Sequence, residues 1–258
     1  MAVNKKKICV VGAGNWGINH IKTLKKLNAL GGIVEKDDQS INFLKSNFTN
    51  CRIHKDLEES LNENYDGYIV STPPTSHFEI ARNIIDAKKP LLVEKPLTLN
   101  LRDAMTINEL AKRNKVNLMV GHILLFHPAF KKIRSLIESG KLGEIQYIYS
   151  NRLNLGKVRT EENVFWSLAP HDIAIFQYLT ESFPIDIHTK GSTILQKNIP
   201  DSTLTYLVYK NGVEGHIFVS WLHPFKEHRL VVIGSKAMIS FEDSIEGVDA
   251  AINANINV

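Results

Sequence analysis

Cysteine is nearly absent: Cys9 and Cys51 are the only two in 258 residues, and neither belongs to a Cys-x-x-Cys pair. That excludes a disulfide scaffold, a cysteine-built zinc site and thioredoxin-like chemistry. Cys9 lies inside an apolar run and reads as a buried free thiol. An excess of one charge is also missing. The net charge is +4, and no basic stripe with interleaved aromatics appears, so nucleic acid is excluded as a partner. The 15 glycines and 9 prolines are scattered, without repeats or low-complexity tracts. No apolar stretch is long enough to span a bilayer. The basic start, Met1 to Lys7, is followed by an apolar run broken at Gly12, Gly14 and Asn15, too short for a signal peptide. A soluble, cytoplasmic protein without membrane contact is expected. Ten histidines are present, but His216, His223 and His228 have no cysteines or clustered acids at ligand spacing, so no metal is expected.

What is present is an ordinary core composition, 43% hydrophobic and 22% charged, at a length that suits two compact domains. The first half alternates short apolar runs (8–11, 30–35, 68–71, 91–93 and 116–120) with helical periodicities (16–27, 41–48, 76–87 and 100–114). Ser76 and Glu79 have capping-box spacing. Alternation of this kind predicts a Rossmann-type, doubly wound parallel sheet over residues 1–121. The second half, 122–258, predicts an α+β domain with a mostly antiparallel open sheet. A helix follows His127-Pro128 and stops at Gly140. A strand covers 145–153, a loop 154–165 and a helix 170–179. Strands then cover 185–195, 204–209, 213–221, 229–233 and 237–241. Asn211-Gly212 marks a two-residue hairpin. Val213, Gly215, Ile217, Val219 and Trp221 share one face of their strand, and His216 with Phe218 the other. The segment 244–258 shows little periodicity.

Gly12-Ala13-Gly14-Asn15-Trp16-Gly17 fits G-x-G-x-x-G between a predicted strand and a predicted helix. Gly12 suits the tight turn, Gly14 lets the backbone approach a pyrophosphate, and Gly17 lets helix and sheet pack closely. The helix N-terminus offers N–H groups to the phosphates. Glu35, 18 residues after Gly17, ends the second strand where an acid bonds the adenosine ribose. A carboxylate there favours NAD over NADP.

Three further segments carry chemistry. Ser71-Thr72-Pro73-Pro74-Thr75-Ser76-His77 and Glu94-Lys95-Pro96 each leave the carboxyl end of a predicted parallel strand, where open α/β sheets bind ligands. Phe165 to Asp172 precedes the predicted helix of the second half. In this order, with Gly121-His122, these segments resemble the Gfo/Idh/MocA oxidoreductase family over residues 7 to about 241. Within it, 152–156 and 163–172 look most like the UDP-N-acetylglucosaminuronate 3-dehydrogenases. The resemblance implies oxidation of a nucleotide-sugar hydroxyl with NAD. Gly12, Gly14, Asn15, Trp16, Gly17, Glu35, Ser71, Thr72, Pro73, His77, Glu94, Lys95 and His122 would line the cofactor site. Lys95, Arg152, Asn154, Arg159, Asn163 and His171 would meet the substrate.

Lys95 and His171 would be catalytic, with His171 ranked first as general base and Lys95 second. An imidazole with an ordinary pKa near ~6.5 suits proton removal at neutral pH, and a lysine cation favours a developing alkoxide. His127 reads as a helix cap. Many family members carry an acid four residues before the histidine. Ser167 stands there, which removes a carboxylate relay. Asp172, adjacent in a helix, does not face His171. The resemblance also implies a homo-oligomer, a tetramer being expected, and a C-terminal domain shorter than usual.

Overall fold

The computed structural model describes residues 5–48, 51–156, 158–160, 162–243 and 252–256. Two units divide the chain, Met1–Gly121 and His122–Val258.

The first unit runs β1 (Ile8–Val11), α1 (Asn15–Lys26), β2 (Leu30–Val34), α2 (Asp38–Asn47), β3 (Arg52–His54), α3 (Leu57–Leu61), β4 (Gly67–Val70), α4 (His77–Asp86), β5 (Leu91–Val93), α5 (Leu101–Asn114) and β6 (Leu118–Val120). All the strands pair in parallel, in the order β3-β2-β1-β4-β5-β6. Successive side chains of β1 feed opposite faces. Val10 joins Ile21, Leu24, Ile33 and Leu44 under α1 and α2, whereas Cys9 and Val11 join Ile84, Ile85 and Ile107 under α4 and α5. Burial pushes the Cys9 thiol pKa far up, as an inert core sulfur requires.

This is the doubly wound sheet that the alternation predicts. The sequence reading missed β3 and α3, which at three and five residues are too short to show a period. Asn100 caps α5 by accepting from Asp103 N, a contact worth about 1 kcal/mol. The Ser76–Glu79 capping box does not form. The Ser76 hydroxyl instead donates to the Pro73 carbonyl and lies 2.8 Å from Thr72 Oγ1, because a 3-10 turn over Pro74–Ser76 precedes α4.

The second unit contains α6 (Pro128–Glu138), β7 (Ile145–Leu155), α7 (Val164–Thr180), β8 (Pro184–Ser192), β9 (Ser202–Tyr209), β10 (Glu214–Ser220), β11 (Leu222–Gly234), β12 (Ala237–Glu242) and β13 (Ile252–Ile256). The sheet order is β13-β12-β11-β7-β10-β9-β8, antiparallel except where β10 pairs with β7. One face packs on α6 and α7 through Ile148, Ile217, Val219, Trp221, Phe176 and Phe130.

Two expectations need correction here. The helix of this unit begins at Val164 rather than Pro170, because Asn163 caps it by accepting from Trp166 N. Pro170 is therefore interior, and it lacks the N–H that a helix would direct to the carbonyl of Trp166. Inside the aperiodic C-terminal segment, residues 252–256 pair with β12 as β13, while 244–251 and 257–258 lie outside the described residues.

Candidate active site

The sheet order of the first unit reverses between β1 and β4, and ligands of such sheets bind outside the carboxyl ends of the strands at that point. The glycine turn leaves β1 there. Gly12 has φ +91°, a left-handed backbone that glycine supplies without strain. A Cβ at Gly17 would stand 2.0 Å from the Gly12 carbonyl oxygen, so only glycine fits where α1 crosses the turn. A Cβ at Gly14 would meet nothing within 4 Å. Gly14 is the N-cap of α1 without a side-chain cap, and the first turn holds no acid. Asn15 and Trp16 are exposed beside it.

Glu35 Oε2 accepts from Ala13 N at 2.8 Å, and its Oε1 accepts from Lys36 N at 2.7 Å. Glu35 thus ties the end of β2 to the glycine turn and keeps a lone pair for a ribose hydroxyl. A permissive turn, open space before Gly14 and an acid beside it fit a dinucleotide.

Ser71 closes the turn from β4, its hydroxyl donating to the Gly12 carbonyl at 2.9 Å. Thr72 and Pro73 follow at the same rim. His77 is 1% exposed, with Nδ1 2.9 Å from the Pro96 carbonyl and Nε2 2.9 Å from the Thr72 carbonyl. The sequence reading places His77 among the cofactor contacts. In the structure both ring nitrogens meet backbone carbonyls, so His77 ties the 71–77 segment to the Glu94-Lys95-Pro96 segment and keeps no nitrogen for a ligand.

Glu94 is buried at the end of β5. Its Oε1 lies 2.7 Å from His20 Nε2, and its Oε2 accepts from Lys95 N at 3.3 Å. A Cβ at Gly121 would come within 3.0 Å of Oε2, so the tight packing against this carboxylate explains that glycine. Lys95 is half-buried and precedes a cis Pro96.

In the second unit, His171 is the eighth residue of α7 and half-buried, not the first-turn residue that a start at Pro170 implies. Arg152 on β7 donates from Nε and Nη2 to the two oxygens of Asp172, at 3.0 and 3.1 Å. Burial works against the Arg152 charge, but the attraction and hydrogen bonds of Asp172 outweigh it and raise its pKa. The sequence reading assigns Arg152 to the substrate; in the structure its Nε and Nη2 are paired with Asp172. The Oδ1 of Asn154 is buried with no hydrogen-bond partner among the described residues, as suits an acceptor awaiting a ligand hydroxyl. Arg159 pairs with Glu162 at 2.8 Å and is largely exposed. Asn163 spends its carbonyl on the α7 cap. His122 occupies the N-cap position of a 3-10 turn over Ile123–Phe126, and His127 caps α6, its Nδ1 accepting from Ala129 N.

His20 is absent from the sequence reading, although a signal exists. Gly17, Ile21 and Leu24 form the buried stripe of α1, and His20 lies between Gly17 and Leu24 at i+3 and i−4. A polar ring on that stripe requires a partner, which is Glu94. Asp172 is likewise a buried acid on an apolar helix, and its partner came from a distant strand.

A family model described as "Oxidoreductase family, NAD-binding Rossmann fold" matches residues 6–122, and one described as "GFO/IDH/MocA C-terminal domain" matches 130–240. The myo-inositol 2-dehydrogenase of Thermotoga maritima is 26% identical over 253 residues, covering 93% of this chain and 75% of that protein. The UDP-N-acetylglucosamine 3-dehydrogenase of Acidithiobacillus ferrooxidans is 26% identical over 212 residues, covering 82% and 66%. The WlbA dehydrogenase of Bordetella pertussis, solved with NADH and UDP-GlcNAcA, is alike in fold. Its TM-score is 0.87 at 19% identity, and the match covers 100% of this chain and 79% of that one.

Proposed function

Given that the chain belongs to the GFO/IDH/MocA family of NAD-binding oxidoreductases, we propose that it oxidises a secondary hydroxyl of a sugar, C3 of UDP-N-acetylglucosaminuronic acid being the first choice. The observation that carries this reading is the placing of Glu94-Lys95-Pro96. It leaves β5 at the rim where the glycine turn leaves β1 and Ser71 leaves β4, with only β4 between β1 and β5. A lysine at that edge of a dinucleotide turn is suited to chemistry at the nicotinamide end.

Bound NAD supplies the hydride acceptor. Lys95 binds the reacting oxygen and, as a cation, favours its developing negative charge. His171 takes the hydroxyl proton, so that the alcohol becomes a ketone as one hydride and one proton leave. Asn154 Oδ1 accepts from a sugar hydroxyl. Arg159, exposed at the loop, meets the carboxylate or diphosphate.

The nucleotide-sugar choice is supported by segments 152–156 and 163–172 and by the two relatives whose names include UDP-sugars. A second reading, a cyclitol, is favoured by the relative named myo-inositol 2-dehydrogenase. Incubation with NAD and each of UDP-N-acetylglucosaminuronic acid, UDP-N-acetylglucosamine and myo-inositol, with a 2-oxo acid as reoxidant, decides between them. NADH or ketone formed with the uronate supports the first choice. Turnover with inositol alone overturns it, and silence throughout overturns the dehydrogenase reading.

A further inference from the structure

We infer that His20 is a positioning residue for Lys95, acting through Glu94. The inference rests on the reading that Lys95 serves the reacting hydroxyl. Lys95 stands between two anchored neighbours. Downstream, the Pro96 carbonyl is held by the buried ring of His77. Upstream, Glu94 accepts from the Lys95 backbone N–H, and its other oxygen lies 2.7 Å from His20 Nε2. His20 sits on α1 three residues after Gly17, so the helix whose N-terminus would face a pyrophosphate also fixes the strand end that carries the lysine.

A buried carboxylate holds one orientation only while its oxygens have partners. Without the imidazole, Glu94 loses the partner on Oε1 and is freed to rotate away from Lys95 N. Gly121 lies against Oε2, where an added Cβ would stand 3.0 Å away, and has no side chain to offer in place of the imidazole. Movement of a reacting group by about 1 Å can cost ~10²-fold in rate, so a contact remote from the chemistry is sufficient.

The test compares wild type with His20→Ala and His20→Gln, whose side-chain amide can still donate to Glu94. Three quantities are read: steady-state kinetics, the NAD dissociation constant, and labelling of Lys95 by an amine-specific acylating reagent, measured by peptide mass spectrometry against Lys22. For His20→Ala, the expected result is a fall in kcat of ~10-fold or more, little change in NAD affinity and altered labelling of Lys95 but not Lys22. For His20→Gln, most of the kcat and the wild-type labelling return. An Ala variant with wild-type kcat and labelling overturns the inference. So does a Gln variant no better than Ala, which would make His20 a packing residue. If wild type itself turns over no sugar or cyclitol, the dehydrogenase reading fails, and labelling still decides whether His20 orients Lys95.

Discussion

The guanidinium of Arg152 and the carboxylate of Asp172 meet through two parallel hydrogen bonds, with Asp172 only 2% exposed. This pair fastens the middle of α7 to β7, one residue after His171. Breaking a buried pair from one side leaves an uncompensated charge, which costs about 3–5 kcal/mol. Arg152→Ala and Asp172→Ala should each lower the unfolding free energy by that order, whereas an Arg152→Met, Asp172→Leu double variant should cost less than either. Denaturant unfolding measures all three, and additive losses would show that the pair is not one unit.

Gly14 and Gly17 should separate folding from cofactor binding. Gly17→Ala drives a Cβ into the Gly12 carbonyl and should lower both melting temperature and NAD affinity. Gly14→Ala meets nothing in the protein and should melt close to wild type. It should still weaken NAD by ~10-fold, about 1.4 kcal/mol, because the methyl occupies the space of the approaching pyrophosphate. Thermal melts alongside NAD titrations check the contrast.

Lys95→Ala and His171→Ala should each reduce kcat by about 10²–10⁴-fold, the usual contribution of a positioned acid or base. NAD binding should survive His171→Ala. Stopped-flow measurement of the first turnover distinguishes a slowed chemical step from slow release. Unchanged single-turnover rates in both variants would remove Lys95 and His171 from the chemical step.

Acid should destabilise the second unit through His228. Its pKa lies below the ordinary 6.5, first because it is buried, then because Arg152 and Lys226 repel the cation, with Asp243 opposing them. Below 6.5 the unfolded chain binds a proton that the folded chain resists. Stability should therefore be level above that pH and fall as pH drops towards the lowered folded value. His228→Gln should flatten part of that slope. Burial lowers His216 in the same sense, so the remaining slope belongs partly to it. Melting temperatures between about pH 7.5 and 5 provide the check.

The face of the second unit's sheet opposite α6 and α7 should join copies of this chain. Leu204, Phe218 and Asn151 form one cross-strand row on it, and Tyr206, His216 and Tyr149 the next, with His216 stacked on Tyr149 at 5.0 Å. Light scattering should give a multiple of 29.1 kDa, and Phe218→Glu should lower it. A monomer in the wild type would remove the proposal.

The longer elements of both units were legible because each has a period and a stop. Asn100 caps α5 and Gly140 ends α6, while β9 turns into β10 through the three residues Lys210-Asn211-Gly212 rather than the two expected, Tyr209 N donating to the Val213 carbonyl. The start of α7 was not legible. Its first turn is apolar on nearly every side, and Pro170 imitates an N-terminal residue while Asn163 does the capping. The glycine turn and Glu35 announced themselves by spacing, the loop lysine only through the family resemblance. What spacing could not supply was pairing across the chain. Arg152 and Arg159 look alike as loop-edge cations, yet one is locked to a helix acid 20 residues on and the other lies largely in solvent. His20 and His77 contact groups 74 and 19 residues away, separations at which no local pattern survives.

The place of β7 in its sheet bears on how the chain is made. β7 is flanked by β10 and β11, whose residues emerge from the ribosome some sixty to ninety positions after it. Its two edges stay unsatisfied throughout that interval, while the first unit, with neighbours closer in sequence, can already close. Non-local pairing of this kind folds slowly and exposes strand edges to aggregation. Expression at reduced temperature, or with chaperones that hold nascent chains, should thus raise the yield of native protein chiefly by protecting the stretch from Ile145 onward.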